Sequence, residues 1–237
     1  MRTNSNIIWS GYEWLTRQPW GDHHTDPNQA CKCWYDPSAI MINSSNQLKL
    51  DILQHPKTFD DGMTLEYGIG IITSIRSFGY GVYKIQAMLP QGVSLWPAFW
   101  MYEYNKCIPE IDIFEGYSMD TGYKRKCTLK KWNVESCIHT DPSLNLPRVR
   151  AEAPCIWNFN IDPSQRFNEY SFFWTPDRVE FYINGECVRK VKDKAIISHL
   201  RDRKMTVILN NHISCKYIDN FNIISPFIIN HFDYCPL

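Results

Sequence analysis

The 237-residue chain balances 25 basic against 25 acidic side chains, is 44% hydrophobic and 14% aromatic, and carries only 11 Gly but nine Cys. A net charge of zero removes the clustered excess of Lys and Arg on which nucleic-acid binding rests, and no apolar run approaches the ~20 residues that cross a bilayer, so neither nucleic acid nor membrane is an expected partner. The length, with no Pro/Gly/Ser-rich linker, predicts one domain over residues 1–237 with a full-sized core, expected to be a monomer.

From Met1 to Asp36 the chain is rich in Trp, His, Pro and Asn without periodicity, which predicts an irregular arm held down by burial of Trp9, Trp14, Trp20 and Trp34. The first residues never develop the apolar core of about 7–15 residues that a secretory signal needs, so either export does not use that route or a leader has been trimmed. Nine cysteines is an odd number, leaving at least one thiol outside any intramolecular disulfide. Cys31 and Cys33 form a single C-x-C without a second half at zinc-ribbon spacing; buried free thiols are the expectation, with some disulfides and then a metal site as the alternatives.

Beyond the arm, period-two segments rich in β-branched and aromatic residues predict strands at Ile40–Ile42, Leu48–Leu53, Tyr67–Ile75, Val82–Leu89, Trp96–Tyr102, Glu110–Glu115, Lys126–Lys131 and Glu135–His139. Tyr170 to Val191 reads as a three-stranded meander. Pro176 presets the first turn, and Asn184-Gly185 accepts the positive φ values of a type I′ hairpin. Met205–Leu209 and Phe227–Asp233 complete the set. No window of about twelve residues keeps an apolar stripe at helical spacing, and so many short strands between turns predict an all-β, two-sheet sandwich.

Three carboxylates fall within six residues, Glu110-Ile111-Asp112-Ile113-Phe114-Glu115, in an otherwise apolar strand. Alternation puts Glu110 and Asp112 on one face and turns Glu115 to the other. A β-bulge at Ile113 or Phe114 returns Glu115 to the face of Glu110. Two glutamates leaning across a concave sheet would then bring their carboxyls to roughly 5–6 Å, near the ~5–5.5 Å of a retaining glycosidase rather than the ~6.5–9.5 Å of an inverting one. Crowding raises the pKa of at least one group, so that one carboxyl holds a proton while another is ionised. Taken alone, an acidic strand face is also compatible with a solvated surface or a calcium site. On the preceding strand Trp96, Ala98 and Trp100 share a face in large-small-large order, which suits stacking of a sugar ring and equally a packed core.

Gly79-Tyr80-Gly81-Val82-Tyr83, Met88-Leu89-Pro90-Gln91-Gly92, Leu95-Trp96-Pro97-Ala98-Phe99-Trp100 and Pro109-Glu110-Ile111-Asp112-Ile113-Phe114-Glu115, followed by the meander from Asn168 to Gly185, closely resemble glycoside hydrolase family 16. The resemblance runs from about Tyr67 to Val191, and the longer E-x-D-x-x-E spacing is similar to its laminarinase, agarase and carrageenase branches. It implies a concanavalin-A-like β-jelly roll of two antiparallel sheets with a concave cleft, and retaining endo-hydrolysis of a β-linked polysaccharide such as a β-1,3-glucan or a galactan. By the same resemblance Glu110 is the nucleophile, Glu115 the acid/base and Asp112 the assisting carboxylate, with Trp96, Trp100, His139 and Trp174 as expected substrate-binding residues. No cofactor is required; a structural Ca²⁺ occurs in the family, but no ligand pattern locates one here. Tyr80-Gly81-Val82-Tyr83-Lys84-Ile85-Gln86 departs from the usual Tyr-Gly-Tyr-Phe-Glu-Ala-Arg, which loosens any inference about the sugar bound. Lys124-Arg125-Lys126 and Lys130-Lys131 form a basic cluster that reads as a solvated face or as a contact for an anionic glycan. A lectin-like binder on the same jelly roll and a transglycosylase using the same residues are the alternative readings. A polysaccharide substrate points to an extracellular setting, in tension with the missing signal.

Overall fold

A computed structural model describes residues 6–25, 32–93, 95–104, 108–116, 133–140, 155–213 and 222–237. Two large sheets face each other across the core. The front sheet has eight strands in the order Asn6–Trp9, Tyr12–Leu15, Ile71–Phe78, Met205–Ile213, Leu95–Glu103, Glu110–Gly116, Asn133–His139 and Cys155–Asn158. The back sheet has seven, ordered Glu186–Val191, Val179–Ile183, Asn168–Trp174, Gly81–Met88, Phe227–Pro236, Leu48–Leu50 and Ile40–Ile42. Every neighbouring pair in both sheets is antiparallel. Phe99, Ile111 and Phe114 from the front sheet meet Tyr83, Ile85, Phe172, Phe181 and Phe232 from the back sheet in one buried cluster. This is the all-β jelly-roll sandwich that the strand pattern and the family resemblance imply.

A four-stranded sheet of His23–Thr25, Lys32–Tyr35, Thr64–Ile69 and Ile52–Thr58 stands beside the front sheet and contains a parallel pairing of Cys33–Tyr35 with Tyr67–Ile69. A second buried cluster, including Tyr35, Ile52 and Ile69 with Ile71, Tyr102 and Ile208, glues it on. The expected strands Leu48–Leu53 and Tyr67–Ile75 are therefore each divided between sheets. Both break at one crossing point, where Gly70 N–H donates to the Asp51 carbonyl (2.8 Å) and Asp51 N–H donates to the Ala39 carbonyl (2.9 Å). A Cβ on Gly70 would lie 2.7 Å from the Ala39 carbonyl oxygen, so only glycine lets the two segments cross this closely.

The N-terminal segment corrects the expected irregular arm. Asn6–Trp9 and Tyr12–Leu15 form an antiparallel hairpin on the edge of the front sheet. Ser10 and Gly11 turn it, with φ of 50° and 77°, a conformation carried by Ser-Gly where Asn-Gly is the stronger sequence signal. Trp9, Trp14 and Trp34 are buried as expected, whereas Trp20 is half exposed. The meander from Asn168 to Val191 forms as read, with Asn184 and Gly185 at φ of 51° and 79°. A seven-residue helix, Lys194–Leu200, capped by Asp193, is too short to produce a readable helical period. The expected strand Lys126–Lys131 and the basic cluster lie outside the described residues, as does Cys31. Among the described residues, Cys33, Cys137, Cys187 and Cys235 are not joined in disulfides.

Candidate active site

The outward face of the front sheet carries a cavity of about 270 Å³. Its floor is built by three adjacent strands, Met205–Ile213, Leu95–Glu103 and Glu110–Gly116. The last of these bulges. Asp112 opposes Cys137 and Glu115 opposes Glu135, so that Ile113 and Phe114 together face the single residue Ser136. The pairing with Leu95–Glu103 shifts at the same place, from Trp100 opposite Asp112 to Phe99 opposite Phe114. Ile111, Ile113 and Phe114 all enter the core cluster, and Glu110, Asp112 and Glu115 all line the cavity. One extra residue thus turns a strand that would split its carboxylates between two faces into one that presents all three together.

Trp96, Ala98 and Trp100 line the same cavity. The Trp96 indole N–H donates to Glu115 Oε1 at 2.9 Å, and the Trp100 indole N–H donates to Asn210 Oδ1 at 2.7 Å. His139 sits opposite Glu110 in the register, with Nε2 3.0 Å from Asp112 Oδ2. Trp174 is elsewhere and must be removed from the expected set. It lies on the back sheet, 1% exposed, edge-on to Tyr80 inside the core, because alternation along Asn168–Trp174 turns it inward with Tyr170 and Phe172.

Four residues at the site were not singled out from the sequence. Asn210 and His212 come up from the neighbouring strand, His212 edge-on to the Trp96 ring at 5.9 Å. Trp20 reaches the cavity from the N-terminal segment, edge-on to Tyr102 at 5.1 Å. Glu135 is buried and directly opposite Glu115. Only Glu135 left a readable signal: the two-residue period of its strand puts it on the face of His139.

The electrostatics follow from this crowding. Burial pushes the Glu115 carboxyl well above the ordinary range, and repulsion from Asp112, Glu110 and Glu135 adds to it against the Trp96 hydrogen bond. Asp112 is likewise held well above, by burial first and then by Glu110. Glu110 is also raised by burial, but the charge of His139 and a hydrogen bond from Asp112 oppose the rise. His139 is itself raised, chiefly by a hydrogen bond with Cys137 and then by Glu110. The arrangement accommodates two protonated carboxyls and one carboxylate, with Asp112 donating to Glu110.

A β-sandwich with an acid-floored, indole-lined cleft defines a class of carbohydrate-active fold. The model of glycosyl hydrolases family 16 matches residues 27–210, and the chain belongs to that family. It is 29% identical over 145 residues to the endo-1,3-1,4-beta-glycanase ExoK of Rhizobium meliloti, a match covering 59% of this chain and 47% of that protein. The chain spans less than half the length of the curated relatives it matches. Among solved structures, the laminarinase catalytic domain of Thermotoga maritima superimposes with a TM-score of 0.67 at 20% identity, covering 93% of this chain and 96% of that one. An endo-acting O-glycanase from the human gut microbiota, described as initiating mucin breakdown, gives 0.69 at 16% identity over 98% and 87% of the two chains.

Proposed function

We propose that this chain is a retaining endo-β-glycanase acting on a β-1,3-glucan or a β-linked galactan. The observation that carries the reading is the bulge, which gathers Glu110, Asp112 and Glu115 on the floor of one cleft beside two indoles. The curated relatives named as β-glycanases support it.

Glu115, protonated, gives its proton to the glycosidic oxygen as the bond to the anomeric carbon breaks. Glu110, ionised, attacks that carbon from the other side and forms a glycosyl ester. Glu115, now a carboxylate, takes a proton from water, the water oxygen attacks the same carbon, and Glu110 leaves. Two inversions give net retention. Asp112 donates its hydrogen bond to Glu110, keeping that carboxylate oriented and ionised before attack. Trp96 fixes the rotamer of Glu115.

Reducing-end release from laminarin, mixed-linkage glucan, agarose, porphyran and carrageenan, with Glu110→Gln as the blank, tests the activity. Proton NMR of the first product formed tests the stereochemistry. Release of a β-anomer from one polymer, absent in the blank, is expected. Inversion, or release that survives Glu110→Gln, would overturn the mechanism. Glycan binding without release would favour the lectin-like alternative, and products longer than the substrate would reveal transglycosylation.

A further inference from the structure

Cys137 neither gives nor takes a proton in the reaction just described, yet it sits directly opposite Asp112 in the strand register. Its strand alternates, so Cys137 and His139 share the face that looks onto Asp112 and Glu110 across the ladder. Buried cysteines ordinarily serve as small apolar residues, as Cys33 does inside the second cluster, where burial pushes its thiol up to about 12. Cys137 is 4% exposed but belongs to neither apolar cluster. Its neighbours on that face are a carboxylate and an imidazole.

One ligand atom each from Asp112, Cys137 and His139 lies within 4.8 Å of the other two. Tetrahedral zinc, with bonds of roughly 2.0–2.3 Å, needs donors about 3.3–3.8 Å apart, so the three side chains must close by at most about 1.5 Å. A thiolate, an imidazole and one carboxylate make a borderline-to-soft donor set that suits zinc and its congeners and disfavours calcium, which takes six to eight oxygens. Side-chain exposure of 36% at His139 leaves the group reachable from solvent.

We propose that Asp112, Cys137 and His139 form a zinc-class cation site on the cleft floor, with the fourth coordination position open to the cleft, and that its occupation reversibly blocks turnover. The second half rests on the glycanase reading: a cation holding Asp112 withdraws its hydrogen bond from Glu110. On binding, the Cys137 S–H and Asp112 O–H bonds break and His139 gives up its imidazolium proton, the sulfur, oxygen and nitrogen lone pairs bond the metal, and the released protons pass to buffer.

The experiment titrates the chelator-stripped chain with zinc chloride by calorimetry and with cadmium by ultraviolet thiolate-to-metal absorption, without any substrate. One equivalent is expected that weakens at least ~10-fold in both Cys137→Ala and His139→Gln and is unchanged in Cys187→Ala. Equal binding in wild type and Cys137→Ala would overturn the site. Turnover is then measured with one equivalent of zinc and after chelation. Inhibition that chelator reverses, and that Cys137→Ala escapes relative to its own zinc-free turnover, is expected. Turnover indifferent to zinc, with binding still dependent on Cys137, would overturn the block and keep the site. Binding dependent on Cys137 in a chain that cleaves no glycan would count against the glycanase reading alone.

Discussion

Two carboxylates on opposite sheets meet opposite fates. Glu180, on the back sheet, is 4% exposed and accepts from Arg178 Nε at 3.0 Å, from the Tyr182 hydroxyl at 2.5 Å and from Lys190 Nζ at 2.5 Å. Burial alone would push its carboxyl up, but hydrogen bonds from Lys190, Tyr182 and Arg178 overturn that and hold it at about 2. Glu115, on the front sheet, has one indole donor and three acidic neighbours, and is held well above the ordinary value. A carboxyl whose charge is satisfied by cations contributes to stability. One whose charge is opposed by its neighbours is kept protonated at the expense of stability, which is what a general acid needs.

That contrast can be broken most severely by removing the carboxyls. Glu115→Gln is expected to cut turnover about 10²–10⁴-fold, with Glu110→Gln at least as damaging. The sign for stability is the reverse of intuition. A group whose folded pKa is raised contributes stability below its unfolded value of 4.5 and loses it as pH rises through the folded pKa, so Glu115→Gln should melt higher than wild type at neutral pH. Scanning calorimetry checks this, and a lower melting temperature would contradict it.

Glu180→Gln should do the opposite, lowering stability by about 1.5–3 kcal/mol at neutral pH while leaving turnover per folded molecule unchanged. Its folded pKa is depressed, so the stabilisation is present above 4.5 and disappears as pH falls through about 2. Denaturant melts of wild type and variant should therefore converge in acid.

Finer changes should tilt the front-sheet site in opposite directions. Glu135→Gln removes one repelling charge from Glu115 and is expected to move the alkaline limb of kcat/KM to lower pH. Trp96→Phe removes the one donor to its carboxylate and should move the same limb to higher pH. Movement of both limbs in one direction would refute the electrostatic account. The smallest effect is expected at Trp20→Ala: a half-exposed ring on the cleft wall, worth about 0.5–1.5 kcal/mol of stacking, should raise KM roughly 2–10-fold with kcat little altered.

The elements built on strict alternation and strong turn residues were legible in the chain. Asn184-Gly185 announced its hairpin, and the placement of Ile111, Ile113 and Phe114 among three acids required the bulge. The residues that escaped are those whose position depends on non-local geometry. Trp20 stands at the cleft because its segment docks on the edge of the front sheet, which no local pattern encodes. Gly70 divides what reads as one strand because another segment crosses it. Trp174 is core because its strand lies in the back sheet and alternation turns it inward with Tyr170 and Phe172, a placement that depends on which sheet the strand joins. Lys84 replaces the family's usual acid and forms an ion pair with Glu169 at 3.0 Å, a substitution absorbed on the back sheet away from the chemistry.

The most direct measurement is a carboxyl ¹³C NMR titration of glutamate-labelled protein, with Glu115→Gln and Glu180→Gln assigning the two resonances. It requires no knowledge of the substrate. The account predicts that Glu115 titrates well above 4.5 while Glu180, in the same spectra, stays ionised to about 2. A Glu115 resonance that titrates at or below 4.5 would remove the general acid from the site and contradict the account.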